Sequence, residues 1–220
     1  MAGTITALKI QKRDKDRVNV FIDDQFAFGV TLTVAMQLRK GQRLSDPDIE
    51  SLKQGAERDK AYNRAVRLLG RRPRSQAEMA RYLRGKGYDQ VVIDDTLKRL
   101  LDQHYLDDEA FVQFWVENRE RFRPRGERAL RYELRQKGIA DDLIEAALGD
   151  VDEEALAWAA IEPKLRRWHD LAAEDLKKKV IGFLSRRGFN YQIANQAFVR
   201  ACEQLGVSKE DPWLWVVRVG

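Results

Sequence analysis

Two short stretches of the sequence combine arginine and proline in a pattern suited to holding an anion. RRPRSQAE occupies residues 71–78, and FRPRGERA occupies residues 122–129. In the first stretch Ser75 and Glu78 have the spacing of a capping box, so we expect a helix to begin there. A helix N-terminus attracts anions, and arginine donates charge-assisted hydrogen bonds to phosphate and carboxylate. Both stretches are therefore candidate anion-binding turns; the alternative is that each is a plain turn.

Basic residues surround both stretches, and acidic residues follow them. Residues 58–87 contain ten Lys or Arg against two Asp or Glu, whereas residues 139–154 contain seven acidic residues and no basic one. A row of cations can follow a phosphate backbone or an acidic protein groove. The alternative is a solvated helical surface with internal ion pairs. We predict a binding face made of thirteen basic residues: Arg71, Arg72, Arg74, Arg81, Arg84, Lys86, Arg121, Arg123, Arg125, Arg128, Arg131, Arg135 and Lys137.

The sequence contains few groups that could perform catalysis or hold a cofactor. Two His and one Cys are too few for a usual zinc site or a disulfide framework. Neither histidine has a nucleophile near it in the sequence, and no Walker or GxGxxG loop is present. We therefore expect no catalytic residue, no metal and no cofactor. Cys202 is interpreted as a small core residue.

The overall composition indicates a globular protein with an ion-rich surface. Charged residues make up 34% of the 220 residues, against roughly 25% in an ordinary protein, and the net charge is +5. This basic excess permits a polyanionic partner. No run approaches the roughly 20 apolar residues of a membrane span. The N-terminus becomes charged too early for a secretory signal. We expect a soluble cytoplasmic protein without a membrane partner.

The basic residues are carried by a repeat of about fifty residues. LRGKGY, LRQKGI and LSRRGF begin at Leu83, Leu134 and Leu184. The reference positions in these phrases are Gly87, Gly138 and Gly188. Apolar residues recur eight and four positions before each of these glycines, and again one and ten positions after it. This spacing predicts a helix, a glycine stop and a second helix. The related phrases LDDEAF and VDEEAL, with an aspartate ahead of an apolar run, predict the start of a further helix.

The repeat divides the chain into segments. We predict three-helix repeats over residues 61–106, 107–151 and, in degenerate form, 152–206, preceded by an N-terminal segment, 1–60, and followed by a tail, 207–220. In the third repeat the proline and second arginine of the turn are replaced by Glu174 and Asp175. We therefore expect anion binding to be confined to the first two repeats.

The first thirty residues have a different pattern from the rest. Short β-branched runs alternate with polar gaps, which predicts a β-ribbon of three short strands. A short helix over 31–38 and a capped helix over 45–61 are predicted to follow. The predicted fold class is mainly α: tandem three-helix repeats in an elongated stack, with a small N-terminal β-ribbon. The role of Trp213 and Trp215 in the tail is not determined by the pattern.

Several of these motifs together resemble a known family. They are FAFGV, AYNRAVRLLGRRPRSQAEMARYLRGKGY, LLDQHYLDDEAF and RFRPRGERALRYELRQKGI. With them the chain resembles the RecX regulatory proteins, bacterial modulators of the RecA recombinase, from about Ile5 to Leu205. The resemblance implies tandem three-helix repeats that bind inside the helical groove of the RecA–DNA filament. It also implies inhibition of strand exchange, ATP hydrolysis and RecA-assisted repressor cleavage, without catalytic residues.

The expected partners follow from the resemblance and the charge. They are RecA and the RecA–DNA filament, with weak, non-specific binding to single- or double-stranded DNA, and the protein is expected to be a monomer. The alternative is an independent DNA-binding transcriptional regulator, because three-helix units can mimic helix-turn-helix domains. That alternative requires a preference for a palindromic sequence. A nuclease is disfavoured, since no carboxylate or histidine cluster is evident.

Overall fold

The computed structural model describes residues 2–12 and 14–207, and the tail with Trp213 and Trp215 lies outside this part of the chain. The described residues form ten helices and four strands. They belong to two compact units, Met1–Asp107 and Asp108–Gly220. The predicted mainly α class is confirmed, because a small N-terminal sheet is followed by tandem three-helix repeats.

A four-stranded antiparallel sheet begins the first unit. Its strands are β1 (Gly3–Ile10), β2 (Arg17–Ile22), β3 (Gln25–Thr31) and β4 (Arg43–Leu44), in the order β3-β2-β1-β4. The three predicted strands are present. The fourth was not predicted, because two residues are too few to show an alternating pattern.

The sheet is shaped by a tight hairpin and by one apolar face. Asp23 and Asp24 join β2 to β3 with φ angles of 45° and 65°, the left-handed conformation that a two-residue hairpin turn requires. Aspartate tolerates this conformation better than most residues. The alternating apolar residues of the strands are buried on one face: Ile5, Val18, Val20, Phe28 and Val30.

A single long helix joins the sheet to the first repeat. The short helix α1 (Leu32–Ala35) comes first and is shorter than the predicted 31–38. Helix α2 (Asp46–Leu69) then begins at a capping box in which Ser45 and Asp48 bond each other's backbone N–H groups. The predicted division between residues 60 and 61 therefore falls inside a continuous helix.

Helix α2 serves two cores in succession. Ile49, Leu52 and Ala56 pack on the sheet, and one or two turns later Ala61 and Ala65 are fully buried in the first repeat. Alanine at these positions lets neighbouring elements approach the helix closely. The rest of the first repeat consists of α3 (Gln76–Arg84) and α4 (Gln90–Asp102).

The second unit contains the other two repeats. Its helices are α5 (Asp108–Phe122), α6 (Glu127–Gln136), α7 (Asp141–Leu148), α8 (Glu153–Leu165), α9 (Ala173–Ser185) and α10 (Tyr191–Leu205). Leu130 and Leu134 are fully buried in the second repeat, and Val180 and Leu184 are fully buried at the same positions of the third. Cys202 is buried in the third core, as predicted.

The repeated phrase forms the same helix end three times. Gly87, Gly138 and Gly188 have φ angles of 82°, 78° and 89°. In each case the next residue donates its N–H to the carbonyl oxygen five residues earlier, and the glycine donates to the one three residues earlier. This is the Schellman motif, which favours glycine because a side chain is strained at such a φ angle. The predicted glycine stops are therefore confirmed.

In the second unit one of these glycines also makes a close contact between repeats. The backbone N–H of Gly126 donates to the carbonyl oxygen of Arg187 at 3.0 Å. A Cβ atom on Gly126 would lie 2.5 Å from the carbonyl carbon of Gly188, and one on Gly188 would lie 2.5 Å from Cβ of Ala129. The two backbones can approach this closely only because both positions lack side chains.

We expect Gly188→Ala to destabilise the protein more than Gly87→Ala. Both substitutions place a Cβ at a left-handed φ, which costs about 1–2 kcal/mol. A Cβ at Gly87 meets nothing within 4 Å, whereas one at Gly188 collides with Ala129, adding roughly 1–3 kcal/mol of overpacking. Urea unfolding, followed by circular dichroism, measures how much each substitution lowers the free energy of unfolding. Equal losses would show that the contact between the repeats is not tight.

Candidate functional site

The two arginine turns, one in each unit, precede α3 and α6 and are two separate candidate sites. The first arginine turn comprises residues 71–74, and the second comprises residues 122–125. Proline gives each turn a stiff entry into its helix. In the first turn Ser75 is the N-cap residue and accepts a hydrogen bond from the backbone N–H of Glu78 at 3.1 Å. In the second, Gly126 occupies that position.

In the first arginine turn one arginine, Arg72, is paired with a carboxylate of the helix that follows, and the buried Nε of Arg74 has no hydrogen-bond partner among the described residues. Arg72 donates two hydrogen bonds to the Glu78 carboxylate, at 2.9 and 3.1 Å, and a third to the carbonyl oxygen of Pro73 at 2.8 Å. The side chain of Glu78 is only 9% exposed, which makes this pair less accessible to solvent than a surface salt bridge. Burial and the neighbouring Arg72 lower the pKa of Arg74, while Glu78 opposes the effect. Arg71 remains exposed beside the pair.

In the second turn the carboxylate of Glu133 is shared by two arginines and one indole N–H. Arg119 donates to Glu133 at 2.7 Å, and the indole N–H of Trp115 donates to the same carboxylate oxygen at 3.0 Å. The Nε of Arg125 lies 3.6 Å from the other oxygen, beyond hydrogen-bonding distance, and this buried Nε has no hydrogen-bond partner among the described residues. Arg123 is exposed.

A third arginine reaches the second turn from the third repeat. Arg187 donates through Nη1 to the carbonyl oxygen of Pro124 at 3.1 Å, and its guanidinium lies 4.5 Å from the centre of the Phe183 ring. Burial lowers the pKa of Arg187, and the positive charges of Arg125 and Arg123 lower it further. The second turn and Arg187 thus form a cluster of like charges, which we call the three-arginine cluster (Arg123, Arg125 and Arg187).

The difference between the two turns has a physical cause. Glu78 of the first repeat corresponds in the sequence to Ala129 of the second. A longer side chain at residue 129 would meet the backbone at Gly188, which already lies in close contact with Ala129. The packing of the third repeat on the second therefore favours a small residue where the first repeat carries its neutralising glutamate.

In the third repeat the turn is replaced by helix. Helix α9 begins at Ala173 and is 13 residues long, compared with nine for α3 and ten for α6. Glu174 and Asp175, which replace the proline and second arginine, lie in its first turn, where acidic residues suit the helix dipole. Both also lie within 4 Å of the ammonium group of Lys178.

The basic residues on the helices have mixed environments. Arg131 donates to Glu127 at 2.6 Å and to Glu145 at 2.7 Å, which raises its pKa, and Arg135 donates to Asp141 at 2.8 Å. The pairs with Glu145 and Asp141 join α6 to α7, as the ion-pair alternative expects. The ammonium groups of Lys86 and Lys137 and the guanidinium of Arg121 lie near aromatic rings. Arg81, Arg84 and Arg128 are exposed on their helices.

Arg119 and Arg187 were missing from the predicted binding face. The repeat itself contained a signal for Arg187, because it precedes its glycine as Lys86 and Lys137 precede theirs. It was omitted because the third repeat lacks the arginine turn. No periodic signal marked Arg119, whose position depends on how α5 packs beside α6.

The arrangement at the second arginine turn is suited to holding oxyanions. Guanidinium groups bind phosphate or carboxylate through several hydrogen bonds, and like charges that lack a counterion are relieved when an anion arrives. Within the described ranges, no three His, Cys, Asp or Glu side chains come together as a metal site would require. No helix among those residues is long and apolar enough to cross a bilayer.

Comparison with family models matches four successive segments of the chain. They are the RecX N-terminal domain over residues 3–45 and the first, second and third RecX three-helix domains over 61–100, 107–148 and 152–198. Two solved structures are similar. One, described as regulatory protein RecX, has a TM-score of 0.67 and 26% identity and covers 89% of this chain and 98% of its own. The other, RecX from Lactobacillus salivarius, has a TM-score of 0.59 and 21% identity, and covers 66% and 96%.

Curated relatives agree with the family models. The regulatory protein RecX of Bacillus subtilis is 34% identical over 198 residues, which cover 88% of this chain and 75% of the relative. That of Listeria monocytogenes is 31% identical over 211 residues, covering 94% and 78%. The matches extend from the sheet through all three repeats, and the chain therefore belongs to the RecX family of regulatory proteins.

Proposed function

We propose that this protein binds RecA and the RecA filament on DNA and inhibits strand exchange, ATP hydrolysis and RecA-assisted repressor cleavage. It catalyses no reaction itself and uses no cofactor. Membership of a family of RecA regulators supports the partner, and the three-arginine cluster supports a contact with an anionic surface. The single observation that carries the site is that Arg187 bonds the second arginine turn between Arg123 and Arg125, with no carboxylate bonded to Arg123 or Arg187 among the described residues.

The site is proposed to be unequal across the repeats. The three-arginine cluster is proposed as the strongest contact because Arg123 and Arg187 have no bonded carboxylate among the described residues, and Arg125 has only the 3.6 Å contact with the shared Glu133. The first arginine turn contributes less, since Arg72 is already bonded to Glu78. Arg131 and Arg135, which the sequence placed on the binding face, act mainly to join α6 to α7.

Direct binding to DNA is proposed to be weak and tolerant of sequence. A few exposed arginines give an affinity that falls steeply with salt, because each phosphate contact releases counterions. A footprint on one palindromic operator that persists at high salt would instead favour an independent transcriptional regulator.

Charge reversal of the arginines tests the proposed site. We expect Arg123→Glu with Arg125→Glu to weaken inhibition of DNA-dependent ATP hydrolysis by RecA at least tenfold, because removing a charged partner costs on the order of 2–5 kcal/mol when the contact is desolvated. Arg72→Glu with Arg74→Glu should have a smaller effect. Lys178→Glu with Lys179→Glu in the third repeat should have the smallest, since Lys178 already lies among acidic residues.

The measurement is a titration of RecA ATPase activity with each double variant, after circular dichroism has verified its helix content. Equal losses in all three variants would indicate diffuse electrostatics rather than a site. An unchanged RecA rate at excess wild-type protein in low salt would contradict the proposed function itself.

Removing the glutamate that pairs with Arg72 should strengthen DNA binding by the first arginine turn. We expect Glu78→Gln to release Arg72 and to steepen the salt dependence of binding to single-stranded DNA by about 0.7 in log–log slope, the value of one added phosphate contact. Glu154→Gln, at an exposed position of α8, changes the net charge equally and serves as the control. Fluorescence anisotropy with a labelled oligonucleotide measures both. If both variants steepen the slope equally, only net charge matters and Glu78 has no special role.

A further inference from the structure

A second basic surface lies in the first unit, on the helix α2 that precedes the first arginine turn. It is an open groove of about 520 Å³ between the edge strand β3 and helix α2. Phe26, Phe28 and Gly29 line it on the strand side, together with Arg17 from β2. The facing side is one face of α2, whose lining residues recur every three or four positions from Lys53 to Arg67. We call this face the α2 stripe.

The α2 stripe is predominantly cationic. Lys53, Lys60, Arg64 and Arg67 all line the groove, and Glu57 is the one acidic residue of the stripe. Arg67 bonds Asp14 at 3.1 Å, which neutralises the other carboxylate of the groove. None of the other three cations pairs with a carboxylate elsewhere in the described part of the chain. The groove therefore has an excess of positive charge.

One of the aromatic rings that line this groove is exposed to solvent. Phe26 is 60% exposed although it lies in a strand, and it is oriented by an edge-to-face contact with Phe21 at 6.0 Å. Lys9 in turn lies over the Phe21 ring at 5.0 Å. A large apolar side chain that is held in place and left open to solvent beside cations is suited to stacking against a flat ligand.

We propose that this groove binds a single strand of nucleic acid, with phosphates along the cationic α2 stripe and a base stacked on Phe26. Cations that follow the backbone and an aromatic ring that stacks a base are the two parts of sequence-tolerant single-strand binding. Arg17 is already engaged, since its Nη2 donates to the carbonyl oxygen of Gly29 at 2.5 Å. It shapes the wall of the groove and leaves the phosphate contacts to α2.

The dimensions of the groove favour a single strand over a duplex. From Lys53 to Arg67 the helix rises about 21 Å at 1.5 Å per residue. At about 3.4 Å per nucleotide this length holds roughly six stacked nucleotides, and fewer if the strand is stretched. Bases in a duplex are stacked on each other and offer no free face to Phe26. This inference concerns direct binding of DNA by the first unit and does not depend on RecA.

Two kinds of substitution separate the stacking contact from the phosphate contacts. Phe26→Ala should weaken binding of a labelled dT oligomer on the order of tenfold without changing its salt dependence, because base–aromatic stacking is not ionic. Phe26→Trp should restore the affinity. Lys60→Ala with Arg64→Ala should make the log–log salt slope shallower by about 1.4, corresponding to two lost phosphate contacts on a single strand.

The full-length chain supplies matched controls. Tyr191→Ala removes an aromatic ring that is 62% exposed in the second unit. Lys177→Ala with Lys179→Ala removes two exposed charges there. Neither control should reproduce the effect of the groove variant to which it is matched. If the controls match the groove variants, or if the Phe26 and Lys60/Arg64 variants bind like wild type, the proposal is overturned.

A site-specific readout distinguishes the groove from the arginine turns. An oligomer containing 5-iodouracil, irradiated in complex with the full chain, should crosslink to Phe26. Crosslinks found only in residues 71–74 or 108–207 would overturn the groove proposal while leaving the RecA proposal intact. Full competition by poly-glutamate at matched ionic strength, with no crosslink to Phe26, would instead identify an acidic peptide surface. If the wild-type chain crosslinks to the oligomer at Phe26 but does not inhibit RecA, the result would count against the proposed function alone.

Discussion

The close approach of two backbones at Gly126 and Gly188 is the constraint on which the second unit depends. Because neither residue has a side chain, the backbone at the end of α9 packs directly against the backbone at the start of α6. The contact carries Arg187 to the second arginine turn and favours a small residue at position 129. The same steric requirement thus removes a counterion and adds a cation. Packing and charge at this surface therefore have one origin and change together.

The three repeats share a backbone plan but treat positive charge in three different ways. The first pairs Arg72 of its arginine turn with a largely buried glutamate, the second leaves its turn without an equivalent partner, and the third replaces the turn with an extra turn of helix. In all three repeats the Schellman helix ends are retained, and the residues four and eight positions before the glycines are buried. The core pattern therefore specifies the fold, while the loops ahead of the second helices determine where each repeat can meet an anion.

Sequence periodicity predicted the repeated helices because burial and helix geometry operate over a few residues. The offsets around Gly87 and its two equivalents were sufficient to place three cores and three helix ends. Strand β4 was missed, since its pairing with β1 depends on residues forty positions away. The three-arginine cluster and the groove beside Phe26 were missed for the same reason. Each combines residues that are distant in the chain, and Phe26 on its own looks like one more apolar residue of a strand.

Helix α2 has a mechanical consequence for the first unit. Its 24 residues extend about 36 Å without a break, with one end in the core of the sheet and the other in the core of the first repeat. The sheet and the first repeat are therefore joined by continuous helix and not by a loop. A displacement of the sheet is expected to move the first repeat with it, because the backbone hydrogen bonds of the helix run through the junction.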